Sequence, residues 1–284
     1  MNTATSLIDI LDEKLASEDL RLPVFPPLAL DLQRMLSVDE INIEAISNKI
    51  GEDQALASQL LRCANSAFFS GLSKVSTIKD SILRLGTRQV TNIVLLATQH
   101  RQYGSDDKLI QPYLTILWKH AACCANGSHW LAQRLGYRTI AQESFLAGLM
   151  HDIGHLFLLK VLEDLRTTPD RDLDLSPTVL NEILQNMHTT HGAKLMQSWN
   201  LPVEYCEIAR HHHDETFDAN NKLLAIVRLV NQACHKIGIG LHHEASLTLA
   251  ATAEAQALEV SDLLGAELEI MLEDTAADPE HVLA

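Results

Sequence analysis

Between Phe145 and Leu159 the chain reads Phe-Leu-Ala-Gly-Leu-Met-His-Asp-Ile-Gly-His-Leu-Phe-Leu-Leu, an apolar run interrupted by His151, Asp152 and His155. Its apolar residues demand burial, and an imidazole beside a carboxylate is costly to bury without partners. The pair therefore needs a partner inside the fold, and a divalent transition metal is the natural one. Other histidines follow the same habit. His120 stands one helical turn from Ile116 and Cys124, and His191 one turn from Met187 and Leu195. His211 and His212 close an amphipathic stretch containing Val203 and Ile208, and Asn231 sits among Leu229, Val230 and Ala233. Singly, each reads as a core side chain bonded to a carbonyl. Gathered in one half of the chain, they point to a common ligand. His151 with His155, one turn apart, forms a local alternative, although His155 beside Leu156 also suits a helix surface.

Helical period dominates almost everywhere, and strand alternation and hairpin turn pairs are nearly absent. Leu7, Ile8, Ile10, Leu11 and Leu15 mark an amphipathic segment over 5–17, and Leu22-Pro-Val-Phe-Pro-Pro27 reads as a loop whose last proline opens a helix through Leu36. Short helices are expected over 43–50 and 53–64, another after a Ser76-Thr77 cap, a stop at Gly86, and a further helix from Val90. Asn65-Ser66 suits a helix end, bonding neighbouring backbone. Longer helices follow at about 111–135, 140–164, 177–199, 203–213 and 221–237, with polar loops at 168–177 and 215–221. The expected fold is all-α, a multi-helix bundle of two lobes. Its parts are 1–108, 109–243 and an acidic helical segment over 244–284, forming one continuous unit.

Composition narrows the function. A net charge of −15 argues against nucleic acid and anionic membrane as partners, since phosphates are held mainly by Lys and Arg. Ten Asp or Glu and no Lys or Arg lie from Glu244 onward, which reads as a solvated face or a contact for a basic partner. No apolar stretch is expected to cross a bilayer. The first residues lack a basic region followed by an apolar one, and the five cysteines at 63, 123, 124, 206 and 234 form no Cys-x-x-Cys. These features lead to an expectation of a cytoplasmic protein with reduced thiols.

His120, the His151-Asp152 pair within Gly148-Leu-Met-His-Asp-Ile-Gly154 and a later polar helix residue resemble the HD metal-dependent phosphohydrolase superfamily. His191 and His211-His212 resemble additions found in its HD-GYP phosphodiesterase branch. Leu22-Pro23, Ile50-Gly-Glu-Asp-Gln-Ala-Leu56, Leu61-Arg-Cys-Ala-Asn-Ser-Ala67 and Ile78-Lys-Asp-Ser-Ile-Leu-Arg-Leu-Gly86 are similar to the HDOD family, the HD-related output domain of bacterial signalling proteins. The resemblance covers about 20–240 and implies an HD-like second lobe. It also implies a divalent transition metal (Fe, Mn, Zn or Ni) held by His120, His151, Asp152, His191, His211, His212 and Asn231. Asp152 would be the catalytic carboxylate if the site turns over.

The chain departs from the superfamily pattern in four places. Asn231 stands where the last ligand is normally Asp, and the Gly-Tyr-Pro stretch expected after the paired histidines is replaced by His213-Asp-Glu-Thr-Phe. His155 stands where Lys often follows Asp-Ile-Gly, and Ile116 supplies no carboxylate one turn before His120. Lys119, Lys194 and Arg210 are the basic groups nearest the motifs in sequence, and no Gly-rich phosphate loop is present. Two readings stay open above that of a plain helical scaffold. One is a signal-transduction or response-regulator output module acting through a protein partner. The other is a metal-dependent phosphohydrolase or cyclic-nucleotide phosphodiesterase acting on a small phosphorylated ligand. Asn231 and the missing Gly-Tyr-Pro favour the first.

Overall fold

The computed structural model describes residues 11, 14–15, 26–36, 42–66, 69, 74–167 and 175–277. The residues expected to carry the amphipathic segment at Leu7, Ile8 and Ile10, most of the 22–27 loop, Ala67 and the 168–174 loop lie outside them. Among the described residues there are only helices, turns and loops, so the all-α expectation holds. They group into two units: 103–269 with Leu11, Lys14 and Leu15, and 26–102 with 270–277.

The smaller unit carries α1 (Pro27–Leu36), α2 (Ile43–Gly51), α3 (Gln54–Ala64), α4 (Ile78–Leu85) and α5 (Thr87–His100). Short polar side chains set its helix starts. The Asp53 carboxylate accepts from the Ala55 and Leu56 amides, and Thr77 Oγ1 accepts from the Asp80 amide. Gly86, at φ +80°, ends α4 and begins α5 in a backbone conformation suited to glycine. Asn65 ends α3 by donating from Nδ2 to the Leu61 and Val75 carbonyls while its Oδ1 accepts from the Val75 amide. Ile46, Ile50, Leu56, Leu60, Ile82 and Ile93 form its buried core.

The larger unit holds α6 (Gln111–Arg134), α7 (Ala141–Met150), α8 (Ile153–Thr167), α9 (Pro177–Ser198), α10 (Val203–His211) and α11 (Lys222–Lys236), followed by a 3₁₀ turn at Leu249–Ala251 and α12 (Ala253–Ala257). A last helix, α13 (Asp262–Ala277), contributes residues to both units. The single helix expected over 140–164 is two helices. Its break falls at His151-Asp152, where the His151 amide still bonds Ala147 O four residues back but the His155 amide bonds Asp152 O only three back. Together Ala141–Thr167 are long and apolar enough to cross a membrane, contrary to the expectation from sequence. They are a core element instead, 89% buried over the most apolar window.

Two glycines bring backbones together beside that break. A β-carbon on Gly148 of α7 would lie 2.3 Å from Cys124 O of α6. One on Gly154 of α8 would lie 1.9 Å from His188 O of α9. Only hydrogen fits at either position, so α6 seats on α7 and α9 on α8 at backbone distance. The acidic segment is partly neutralised within the unit. Glu254 pairs with Arg228 at 2.7 Å, Glu269 with Lys236 at 2.6 Å, and Glu267 with Arg134.

Candidate metal centre

The α7–α8 break places the Asp152 carboxylate inside a ring of imidazoles. His212 Nε2 lies 3.1 Å from Oδ1 and His188 Nε2 3.5 Å from the same oxygen. His120 Nε2 lies 3.3 Å from Oδ2, His151 Nε2 3.5 Å and His155 Nδ1 3.6 Å. These groups come from α6, α8, α9 and the residues at the ends of α7 and α10. His120, His151, His155, His188 and His212 are each 5% exposed or less.

Backbone contacts decide which nitrogen of each ring carries hydrogen. His120 Nδ1 donates to Ile239 O at 3.0 Å, His151 Nδ1 to Gly148 O at 2.8 Å, His188 Nδ1 to Leu184 O at 2.8 Å and His212 Nδ1 to Ala209 O at 3.0 Å. A carbonyl only accepts, so in the neutral rings the opposite nitrogen is a bare lone pair. With every ring neutral, four lone pairs face one acceptor-only carboxylate. His151 Nε2, His188 Nε2 and His155 Nδ1 are buried without a hydrogen-bond partner. Acceptors gathered around an acceptor repel one another unless a cation lies among them. Imidazoles anchored through Nδ1–H to carbonyls, with Nε2 presented inward, are also how metal-bound histidines are held. By donor chemistry and by these orphaned atoms, the residues fit a divalent transition metal.

Electrostatics point the same way. Burial pushes His151 and His188 down to about 3, and the neighbouring histidines add to the effect, so both rings stay neutral and able to donate a lone pair. His120 is the exception: burial opposes its charge, but contacts with Asp152 and Cys234 outweigh that and lift it to about 10, so its Nε2 holds a proton toward Asp152 that a bound cation would displace. Burial alone would raise the Asp152 carboxyl; His151, His155 and His120 hold it well below the usual carboxylate range.

The residues singled out from sequence have different fates. His120, His151, Asp152 and His212 meet. His191 sits on the same helix as His188 with its ring 6.2 Å from Phe157, and the group around Asp152 takes His188 in its place. His211 turns outward to Glu207 and Asp214, at 3.1 and 2.7 Å. Asn231 is buried on α11 with its Oδ1 unpartnered. His155 is buried rather than on the helix surface, its ring stacked 4.0 Å from His188. Ile116, used to place His120 on a buried stripe, is 41% exposed; α6 is covered over much of its girth, so His120 is buried regardless.

Sequence reasoning missed His188 and His235, and it noted His213 only within the run 211–213, with no ligand role. The signal for His188 was Gly192 one turn later, opposite Gly154. His213 lies 4.1 Å from His212 and His235 5.8 Å from His120, ring to ring, extending the cluster toward solvent. There an open cavity of about 650 Å³ is lined by His188, His213, His235, His242 and His243 with Gln185, Asn186, Thr189 and Glu244. Among the described residues, no Lys or Arg lines it. Behind the cluster, Arg228 on α11 donates to the His211 and His212 carbonyls at 3.1 Å each, tying down the end of α10.

An all-helical unit with a histidine ring around one largely buried Asp at a helix break is the arrangement that the HD resemblance implies. The HDOD domain model matches residues 22–215, and the chain belongs to the HDOD family. An uncharacterised protein of Treponema pallidum (strain Nichols) is 27% identical over 216 residues, 74% of this chain, and the chain spans 40% of that relative's length. Among solved structures, an HDOD domain protein of unknown function from Geobacter sulfurreducens aligns with a TM-score of 0.70 at 19% identity, over 96% of each chain. A Shewanella amazonensis SB2B protein called a candidate metal-dependent phosphohydrolase gives 0.70 at 20%, covering 98% of this chain and 96% of its own. A candidate signal transduction protein from Marinobacter aquaeolei VT8 gives 0.65 at 22%, covering 92% and 60%. These likenesses establish the shared fold.

Proposed function

We propose that this chain is a cytoplasmic signalling module that binds a divalent transition metal (Fe, Mn, Zn or Ni) and acts through a protein partner. The observation that carries the metal is the set of inward-facing ring nitrogens of His120, His151, His188 and His212 around Asp152. These five residues would hold the cation, with His155 stacked behind His188. A bound cation of this class supplies Lewis acidity toward a phosphoryl or carbonyl oxygen. What the chain adds of its own is a rigid, mostly neutral donor set, with each ring fixed through Nδ1 to backbone.

Turnover of a phosphoester would need positive groups to offset the substrate's charge. Among the described residues the cavity beside the cluster offers none, and Asn231 stands in place of a carboxylate. Both features support binding and signalling over hydrolysis. The name of the Marinobacter relative agrees with that reading. The second reading, a metal-dependent phosphohydrolase or phosphodiesterase acting on a small phosphorylated ligand, draws support from the open cavity reaching His188 and His213, and from the name of the Shewanella relative.

Elemental analysis of protein purified without an immobilised-metal column tests the metal. Near-stoichiometric transition metal is expected, and it should be lost in His151→Ala and Asp152→Ala. Equal metal in wild type and variants would overturn the assignment. Assays of a generic phosphodiester with Mn²⁺ or Fe²⁺ separate the two readings: steady turnover abolished by Asp152→Ala would replace the signalling reading with the enzymatic one.

A further inference from the structure

Two buried thiols beside this centre have no part in the ring around Asp152. Cys124 follows His120 by one turn of α6, and Cys234 comes from α11, which packs along α6. Both are 0% exposed. Cys124 Sγ lies 3.5 Å from His120 Nε2 and 3.8 Å from Cys234 Sγ. The ligand atoms of His120, Cys124 and Cys234 all stand within 4.8 Å of one another.

Those separations match the edges of a thiolate coordination tetrahedron. With metal–sulfur bonds near 2.3 Å and metal–nitrogen bonds near 2.05 Å, tetrahedral angles put two sulfurs about 3.8 Å apart and a sulfur and a nitrogen about 3.5 Å apart. The imidazole is fixed for the task. Its Nδ1 is committed to Ile239 O, and a β-carbon on Gly240 would lie 3.0 Å from that nitrogen, so the backbone of 239–240 is packed against the ring. Nε2 is left as the one free donor of His120, and it also lies 3.3 Å from Asp152 Oδ2.

We infer that His120, Cys124 and Cys234 form a second, sulfur-rich metal site that takes a thiophilic ion of the zinc class and shares His120 with the centre around Asp152. Binding displaces the two thiol protons and the His120 Nε2 proton to solvent, as ligation by thiolate and neutral imidazole requires. Because His120 has a single free nitrogen, it serves one ion at a time. Hard oxygen-seeking cations gain nothing from the sulfurs, whereas zinc-like ions do. The site therefore biases which metal this protein retains.

Its test needs only the full chain and a metal. Protein stripped by chelation under reductant is titrated with Co²⁺ alone and followed by absorption. A near-ultraviolet thiolate-to-cobalt charge-transfer band should rise and saturate in wild type and in Cys123→Ser, whose thiol lies outside the group. It should be lost in Cys124→Ser, Cys234→Ser and the double variant, with helical circular dichroism retained as the check on folding. Cobalt bound by wild type without that band overturns the inference whatever the variants do, and so does a band that survives the double substitution. The centre around Asp152 is read separately: a double variant that still retains metal leaves that centre standing.

Discussion

Gly154 and His188 approach so closely that a β-carbon on the glycine would stand 1.9 Å from the histidine's carbonyl oxygen. This contact seats α9 on α8 and brings the His188 ring to within 3.5 Å of Asp152. A methyl group there must push the helices apart. Gly154→Ala should lower stability by about 1–3 kcal/mol, as overpacking does. It should also reduce retained metal, because His188 moves with its backbone. Thermal denaturation and elemental analysis on the same preparation check both; an unchanged melting temperature would contradict the contact.

His188 and His191 lie three residues apart on one helix, yet only His188 faces the carboxylate. His188→Ala should cut metal content severalfold, whereas His191→Ala and His211→Ala should leave it near wild type. The same elemental assay separates them. A loss at His191 equal to that at His188 would mean the donor set is wrongly drawn.

Asn231 offers a buried, unpartnered amide oxygen where the superfamily pattern carries a carboxylate. Restoring the charge in Asn231→Asp should tighten metal retention against a chelator. It should also raise phosphodiester turnover if any exists, since an anionic donor offsets the cation better than an amide. Competition with a chromogenic chelator provides the comparison.

Arg228 and Glu254 form a buried ion pair at 2.7 Å, 8% and 3% exposed, and Arg228 also holds the His211 and His212 carbonyls. Removing one charge strands the other inside the protein. Glu254→Gln should cost about 3–5 kcal/mol, the range for a broken buried pair. Urea denaturation of wild type and variant measures it. A cost within error of zero would show the pair to be dispensable.

Asp53 caps α3 and meets Arg101 Nη1 at 2.5 Å, and the hydrogen bond from that guanidinium holds its carboxyl below the ordinary value. A carboxyl with a depressed folded value stabilises the protein above its unfolded pKa, about 3.9, and loses that contribution as pH falls through the folded value. Both partners are partly exposed, so the pair contributes only about 0.5–1 kcal/mol. Asp53→Asn should be that much less stable at pH 7, with the gap closing below pH 4. Denaturation midpoints across that range test the sign.

Much of this architecture is local and was legible in the residues. Helical period, the cap at Thr77 and the stop at Gly86 depend on near neighbours, so the all-α reading needed no coordinates. The His151-Asp152 pair announced itself because a polar pair in an apolar run has few physical explanations. His120 and His212 followed from their apolar helix faces. The choice between His188 and His191 was another matter. Both have helix-face credentials, and the decision belongs to Gly154 meeting the His188 backbone across two helices. His155 looked like a surface residue until its ring stacked on His188. The helix break at His151-Asp152, which aims the carboxylate, left no mark in the apolar run. Periodicity states which side of a helix is buried; only packing between distant segments states what that side meets.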